Sequence, residues 1–184
     1  LLDLETTKVI PVVNFKYDAN ATAKSKEALA TLVTNAIATY STTSLEQFEQ
    51  VFRYSPFTTL IDYADPAILS NITTIKISKT FKPTLNSALK YTISFSNALY
   101  NPHSGHAAST TGTIAGGILS STGFTITGNA NTYYLEDDGV GIVNAYYISG
   151  SSKVYLTTGA VGTIDYTTGD IVLTKINIAT VGQV

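Results

Sequence analysis

The sequence contains no cysteine, methionine or tryptophan among its 184 residues. Without thiols the chain has no disulfide, no thiolate metal site and no cysteine nucleophile. No apolar run approaches the ~20 residues of a membrane-spanning helix, and the first residues lack the basic segment and apolar core of a signal peptide. Because even an initiator methionine is missing, we interpret the chain as a fragment of a longer protein.

Charge is also scarce. Charged residues make up 13% of the chain and the net charge is −2, so no overall positive field attracts a phosphate backbone. Thr, Ser, Asn, Gly and Tyr take the place of charges, a composition typical of virion, fimbrial and secreted assembly proteins. Residues 1–90 carry nine basic and eight acidic residues, whereas residues 91–184 carry two and five. This change predicts a domain boundary near residue 90.

The first half alternates between strand and helix patterns. Residues 9–17 are rich in β-branched and aromatic side chains, which predicts a strand, and residues 72–81 alternate in the same way. Between them, apolar residues recur at intervals of three and four over residues 23–40, which predicts a first helix. We therefore expect a strand, helices and a second strand.

The segment from residue 44 predicts further helix. Ser44 and Gln47 have the spacing of a capping box, so we expect a second helix to begin there. Ser55 precedes Pro56, and proline is favoured in the first turn of a helix, so Ser55 can cap a short third helix that ends near Asp65. This order predicts a small α+β domain over residues 1–88.

The second half contains short strands separated by glycines. Residues 163–166 and 170–173 flank Thr-Thr-Gly at 167–169, which is the clearest hairpin pattern in the chain. We therefore predict an all-β, hairpin-rich domain over residues 89–184, and the overall fold class as α+β followed by all-β.

Three sets of polar residues are candidates for a metal or catalytic site. They are the loop pair His103 and His106, the acidic run Glu136, Asp137 and Asp138 beside Gly139 and Gly141, and the carboxylates Asp62 and Asp65. The histidine pair would suit a metal, but Pro102 and Gly105 favour a polar loop tip. The acidic run lacks the alternating oxygens of a calcium loop, which favours a charged turn. Asp62 and Asp65 lie where a helix end needs caps. We assign no catalytic, cofactor or metal residue.

Tyrosine is abundant, with twelve residues in all and eight after residue 90. Tyr133, Tyr134, Tyr146 and Tyr147 could stack on sugars, which gives an alternative hypothesis of a surface adhesin or carbohydrate-binding β module. Tyrosine is also an ordinary strand and interface residue, and we favour that reading.

Residues 57–71 read Phe-Thr-Thr-Leu-Ile-Asp-Tyr-Ala-Asp-Pro-Ala-Ile-Leu-Ser-Asn and lead into the second predicted strand. This stretch resembles the baseplate wedge subunit, gene product six, of T-even-like contractile-tailed phages, a family similar to the baseplate J-like proteins. The preceding strand and helices follow the order of the same family. Five later segments look like its carboxy-terminal portion: 91–97, 101–102, 116–124, 137–141 and 161–171.

The resemblance implies a carboxy-terminal fragment of a non-enzymatic structural subunit in the virion tail baseplate, assembled in the host cytoplasm. Such subunits dimerise and link wedges into a ring, so the expected partners are a second copy and other baseplate proteins. We expect no cofactor and no nucleic-acid, membrane or small-molecule partner. The predicted interface is the apolar set after Ser44, namely Phe48, Phe52, Phe57, Leu60, Ile61 and Ile68.

Overall fold

A computed structural model describes residues 6–47, 50–101 and 117–182, with the backbone alone for Lys175. The chain divides into two compact units, Leu1–Lys79 and Thr80–Val184. Strands account for 43% and helices for 18% of the described residues. Within those ranges no helix is long and apolar enough to cross a membrane.

The part of the first unit that the structure describes forms two strands and two α-helices. Strand β1 (Thr7–Tyr17) is followed by helices α1 (Lys26–Tyr40) and α2 (Tyr54–Asp62), and then by strand β2 (Ile68–Lys79). β1 and β2 pair antiparallel along their whole length, with a register shift between Lys16 and Tyr17. Because side chains alternate across a strand, this two-stranded ribbon has one half-buried face and one exposed face.

The helices pack over one end of the ribbon. Ser25 caps α1 by accepting a hydrogen bond from the amide of Ala28 at 3.2 Å. The core cluster of the unit is Val33, Phe57, Ile61 and Ile68, with half-buried apolar side chains of β1 and β2 packed against it. The apolar face that the sequence pattern predicted for residues 23–40 is therefore the side of α1 that is buried.

The predicted second helix, beginning at Ser44, is wrong. Residues Ser41–Leu45 instead continue α1 as a single π-helical turn. The hydroxyl of Thr43 donates to the carbonyl of Thr39 at 2.8 Å, and the side-chain amide of Gln47, Nε2, donates to the carbonyl of Thr43 at 3.0 Å. Side-chain bonds of this kind compete with the helical ladder and loosen the end of a helix. The side chain of Gln47 thus bonds to a carbonyl of the preceding turn and does not form a capping box with Ser44.

The predicted cap at Ser55 is also wrong, because α2 begins one residue earlier, at Tyr54, after the extended residue Arg53. Pro56 consequently lies in the first turn of α2. The first four amides of a helix have no intrahelical acceptor, so the missing N–H of proline costs nothing there.

The described residues of the second unit form seven strands: β3 (Ala88–Ser94), β4 (Phe124–Ile126), β5 (Asn129–Asp137), β6 (Ile142–Ser149), β7 (Ser152–Tyr155), β8 (Gly162–Asp165) and β9 (Asp170–Val181). The pairings run from β9 to β4, β5, β6 and β8 and return to β9, so the sheet closes into a barrel. β3 and β7 pair with β9 and β6 respectively. The predicted hairpin around residues 167–169 is confirmed as β8–β9, and Gly169 has a φ of 77° in its turn.

The predicted fold class, a small α+β domain followed by an all-β domain, is wrong. The protein is mostly β, with only two α-helices in the described ranges and a seven-stranded barrel. The error has two sources. The segment after residue 44 gives a π-helical turn where a helix was expected, and the short strands of the second half close through pairings between residues far apart in sequence.

Candidate assembly surfaces

The six residues of the predicted interface occupy different environments. Phe57, Ile61 and Ile68 lie in the core of the first unit, where the ring of Phe57 packs against Tyr40 and Phe52 with centroid distances of 5.6 and 5.3 Å. Phe52 and Leu60 are half-buried. Phe48 lies outside the described residues. That these six residues form an interface between subunits remains a prediction.

The outer side of α2 is apolar at its end. Leu60 is half-buried, and Tyr63, three residues later, is 84% exposed. Residues three apart are neighbours on a helix surface. We call Leu60 and Tyr63 the α2 surface.

The exposed face of the β1–β2 ribbon combines apolar and basic side chains. Ile10, Val12 and Ile72 are 46%, 52% and 72% exposed. We call this the ribbon face, and its members are Lys8, Ile10, Val12, Asn14 and Lys16 on β1 with Ser70, Ile72, Thr74, Lys76 and Ser78 on β2. It carries three lysines and no acidic residue.

The carboxylates Asp62 and Asp65 make structural hydrogen bonds. Asp65 is buried, and its carboxylate accepts from Lys24 Nζ at 2.8 Å and from the amide of Ala67 at 2.9 Å. The Lys24 ammonium, followed by the Ala67 amide, lowers the pKa of Asp65 below its ordinary value. Asp62 accepts from the side-chain amide of Asn71, Nδ2, at 2.7 Å. Both side chains therefore hold the segment between α2 and β2.

Lys24→Gln is expected to destabilise the first unit at neutral pH and to have little effect in acid. Because folding lowers the pKa of Asp65, its carboxylate contributes stability above the unfolded-state pKa of 3.8, and this contribution is lost as the pH falls through the folded-state pKa. Urea midpoints of the two proteins should therefore differ above pH 3.8 and converge only as the pH falls below it, through the lowered folded-state pKa of Asp65. Lys90→Gln, an exposed change in β3, is the control. A difference independent of pH would contradict the ion pair.

The acidic run at residues 136–138 begins a turn, as the sequence favoured. Asp137 is fully buried, and its carboxylate accepts from the amides of Leu119 and Gly139 at 2.7 and 3.2 Å and from the hydroxyl of Tyr166 at 2.5 Å. Burial and then the Asp137 hydrogen bond raise the pKa of Tyr166. Asp138 accepts from two further amides of the turn. These oxygens are occupied by protein donors.

In the part of the chain that the structure describes, no group of three or more acidic or histidine side chains is placed to hold a metal ion. The pair His103 and His106 lies outside the described residues.

An open cleft of about 550 Å³ lies beside the β8–β9 hairpin, with Val140 and Tyr166 in its walls. Asp165 at this cleft already accepts from the amide of Thr167 at 2.8 Å.

The tyrosines of the alternative hypothesis divide between the two faces of the barrel wall. Tyr133 is buried and Tyr147 packs on the core, whereas Tyr134 and Tyr146 pack together on the other face with centroids 5.8 Å apart. Sequence reasoning missed the rest of this outer cluster. Tyr155 packs on Tyr146 at 6.1 Å, and Lys153 lies 4.5 Å from the Tyr146 ring centre.

Glu136 joins the outer cluster by pairing with Lys153 and accepting from the Tyr155 hydroxyl at 2.5 Å. Burial and then this bond raise the pKa of Tyr155 to about 12. The charges of the cluster are therefore paired with one another. Alternation within β5 and β6 would have placed Tyr134, Glu136 and Tyr146 on one face, but the participation of β7 is not visible in the local pattern.

Residues 9–80 match the sequence model of one protein family, described as baseplate structural protein gp6, C-terminal domain III. This part of the chain is therefore similar to gp6 domain III. The match confirms the resemblance and extends from β1 to just beyond β2. The match supports a structural role in the phage tail baseplate. The later segments that resemble gp6 lie outside the match, so their assignment stays a prediction. No curated protein matches the chain.

Proposed function

We propose that the chain is a non-enzymatic subunit of a contractile phage tail baseplate, which pairs with a second copy and links neighbouring wedges into a ring. The gp6 domain III match over residues 9–80 carries this proposal. The engagement of Asp62, Asp65 and Asp137 in structural hydrogen bonds supports the absence of catalysis. On this proposal the protein is part of the virion and is assembled in the host cytoplasm with other baseplate proteins.

The proposal retains two domains, residues 1–88 and 89–184. The first compact unit ends at Lys79 and strand β3 begins at Ala88, which supports a boundary in this region of the chain. The first domain carries the gp6 match, and we assign it the self-contact.

The α2 surface is the proposed site of pairing. Of the predicted interface residues that the structure describes, Phe52 and Leu60 keep exposed area, and Tyr63 extends the apolar side of α2 beyond Leu60. Tyrosine is enriched among residues that dominate binding energy, because a large amphipathic ring buries much surface for little lost freedom. Phe57 and Ile61 then contribute indirectly, by fixing α2 against the core.

Light scattering at micromolar concentration should give twice the mass of one chain. Changing both Leu60 and Tyr63 to Ser should weaken this dimer at least about tenfold, because two apolar contacts are lost from one surface. Leu85→Ser removes a leucine of the second unit that is 45% exposed and should leave the dimer intact. A monomer at every concentration would exclude self-pairing, whereas an unchanged dimer in the double variant would exclude only the α2 surface.

A further inference from the structure

We propose that the ribbon face binds an acidic protein surface within the baseplate, on a partner other than a second copy of this chain. This inference rests on the proposed function, because it presumes that the chain works among other baseplate proteins. It names the chemistry of one partner: carboxylates arranged around an apolar centre.

The positive charge of the ribbon face favours a partner surface that is negatively charged. Lys8, Lys16 and Lys76 are all exposed on this face, and none of the ten residues is acidic. Within the described residues, no ion pair involves any of these three lysines. A face of one sign, in a chain whose net charge is −2, is a local feature that attracts carboxylates.

The apolar residues of the ribbon face indicate that its partner offers apolar surface as well as negative charge. Ile10, Val12 and Ile72 lie between the lysines, and each exposes close to half of its side chain or more. Val12 pairs with Thr74, and Ile72 pairs with Asn14 two residues further along β1, so these side chains are neighbours across the ribbon. Covering them removes apolar surface from water, while the surrounding lysines fix the orientation of the partner.

A second copy is a poor occupant of this face. Placing two ribbon faces together would bring six lysines into one contact with no carboxylate of either face to offset them, and like charges oppose association. Nucleic acid and membrane surfaces fit less well than protein. The face has no arginine for bidentate phosphate contacts and no aromatic residue for anchoring at a lipid interface.

The area of the ribbon face is smaller than that of a stable interface, so it would be one of several contacts between the same two subunits. A strand of 11 residues is about 36 Å long, and two strands are about 10 Å wide, giving roughly 350 Å². A stable pairwise interface covers about 800 Å² on each partner. The ribbon face therefore suits an assembly in which further contacts hold the same two subunits.

The test uses the phage that encodes the chain. Lys8→Glu with Lys76→Glu reverses two charges of the face, and Lys26→Glu with Lys90→Glu makes the same change in net charge at exposed positions elsewhere. The amount of each protein in purified baseplates is measured against wild type. We expect the ribbon variant to fall at least about tenfold and the control variant to remain near the wild-type level.

Folding and pairing are measured separately, by thermal unfolding and by light scattering of the purified full chain. Both should match wild type, because the altered side chains are exposed. Lys8→Gln with Lys76→Gln provides a milder second variant, for which a smaller loss is expected. Suppressor mutations selected in the ribbon variant should replace acidic residues of another baseplate protein with neutral or basic ones.

Normal incorporation of both ribbon variants would overturn the proposal. Suppressors at acidic residues of this chain would also overturn it, in favour of self-contact. Binding of the wild-type protein to double-stranded DNA or to phosphatidylserine vesicles, lost in the ribbon variant, would replace the acidic protein by those ligands. Absence of the wild-type chain from baseplates would reject the proposed function itself, an outcome distinct from the other three.

Discussion

Asp137→Ala is expected to lower the free energy of unfolding of the second unit by about 3–5 kcal/mol. The side chain is fully buried and accepts from two amides and one hydroxyl. Removing the carboxylate leaves three donors without this acceptor, two of them buried and the Leu119 amide part-buried, and each buried loss costs about 1–3 kcal/mol. The network also joins distant parts of the chain, since Leu119 and Tyr166 lie 18 and 29 residues from Asp137.

Urea unfolding followed by tyrosine fluorescence measures this effect. Asp138→Ala is the matched control, because the adjacent side chain is only half-buried and accepts from two amides of the exposed turn. Its loss should cost about 1 kcal/mol. Tyr166→Phe combined with Asp137→Ala should cost less than the sum of the single changes, since they share one hydrogen bond. Equal costs at Asp137 and Asp138 would contradict the buried network.

Phe57→Ala is expected to lower the free energy of unfolding of the first unit by about 3–5 kcal/mol. The ring is buried between Tyr40 and Phe52, so its removal leaves a cavity that a short helix cannot close. If Phe57 acted only at an interface, its loss would weaken assembly and leave the stability of the monomer unchanged.

Unfolding of the variant should be measured at a concentration where wild type is monomeric, so that assembly does not contribute. Leu60→Ala is the control from the same helix, with an expected cost near 1 kcal/mol, because Leu60 is half-buried and makes fewer core contacts. A Phe57→Ala protein as stable as Leu60→Ala would contradict the packing described for the core.

The periodicity of apolar residues and the turn residues correctly predicted β1, α1 and the β8–β9 hairpin. The alternation at residues 9–17 corresponds to β1, the helical spacing at residues 23–40 contains α1, and the Thr-Thr-Gly segment forms the turn of β8–β9. In each case one side of the element is apolar over several residues, so burial and local periodicity indicate the same structure. The residues that match the gp6 domain model, 9–80, also fall within this first, strongly patterned half.

Other features depend on contacts that a local pattern does not contain. Thr43 and Gln47 bond to the preceding helical turn, which overrides the capping-box spacing at Ser44. The barrel closes through β6–β8 and β4–β9, pairings that periodicity within a strand does not specify. The spacing of apolar residues on α2 identified an apolar helix, but the structure was needed to separate buried Phe57 from exposed Tyr63.

The central claim is that this chain is a structural component of the baseplate. Quantitative mass spectrometry of baseplates purified from the encoding phage tests it most directly. We expect peptides from both units of the chain, in a fixed ratio to other baseplate proteins and at an even number of copies per ring. Baseplates that are complete and infectious without this chain would contradict the account.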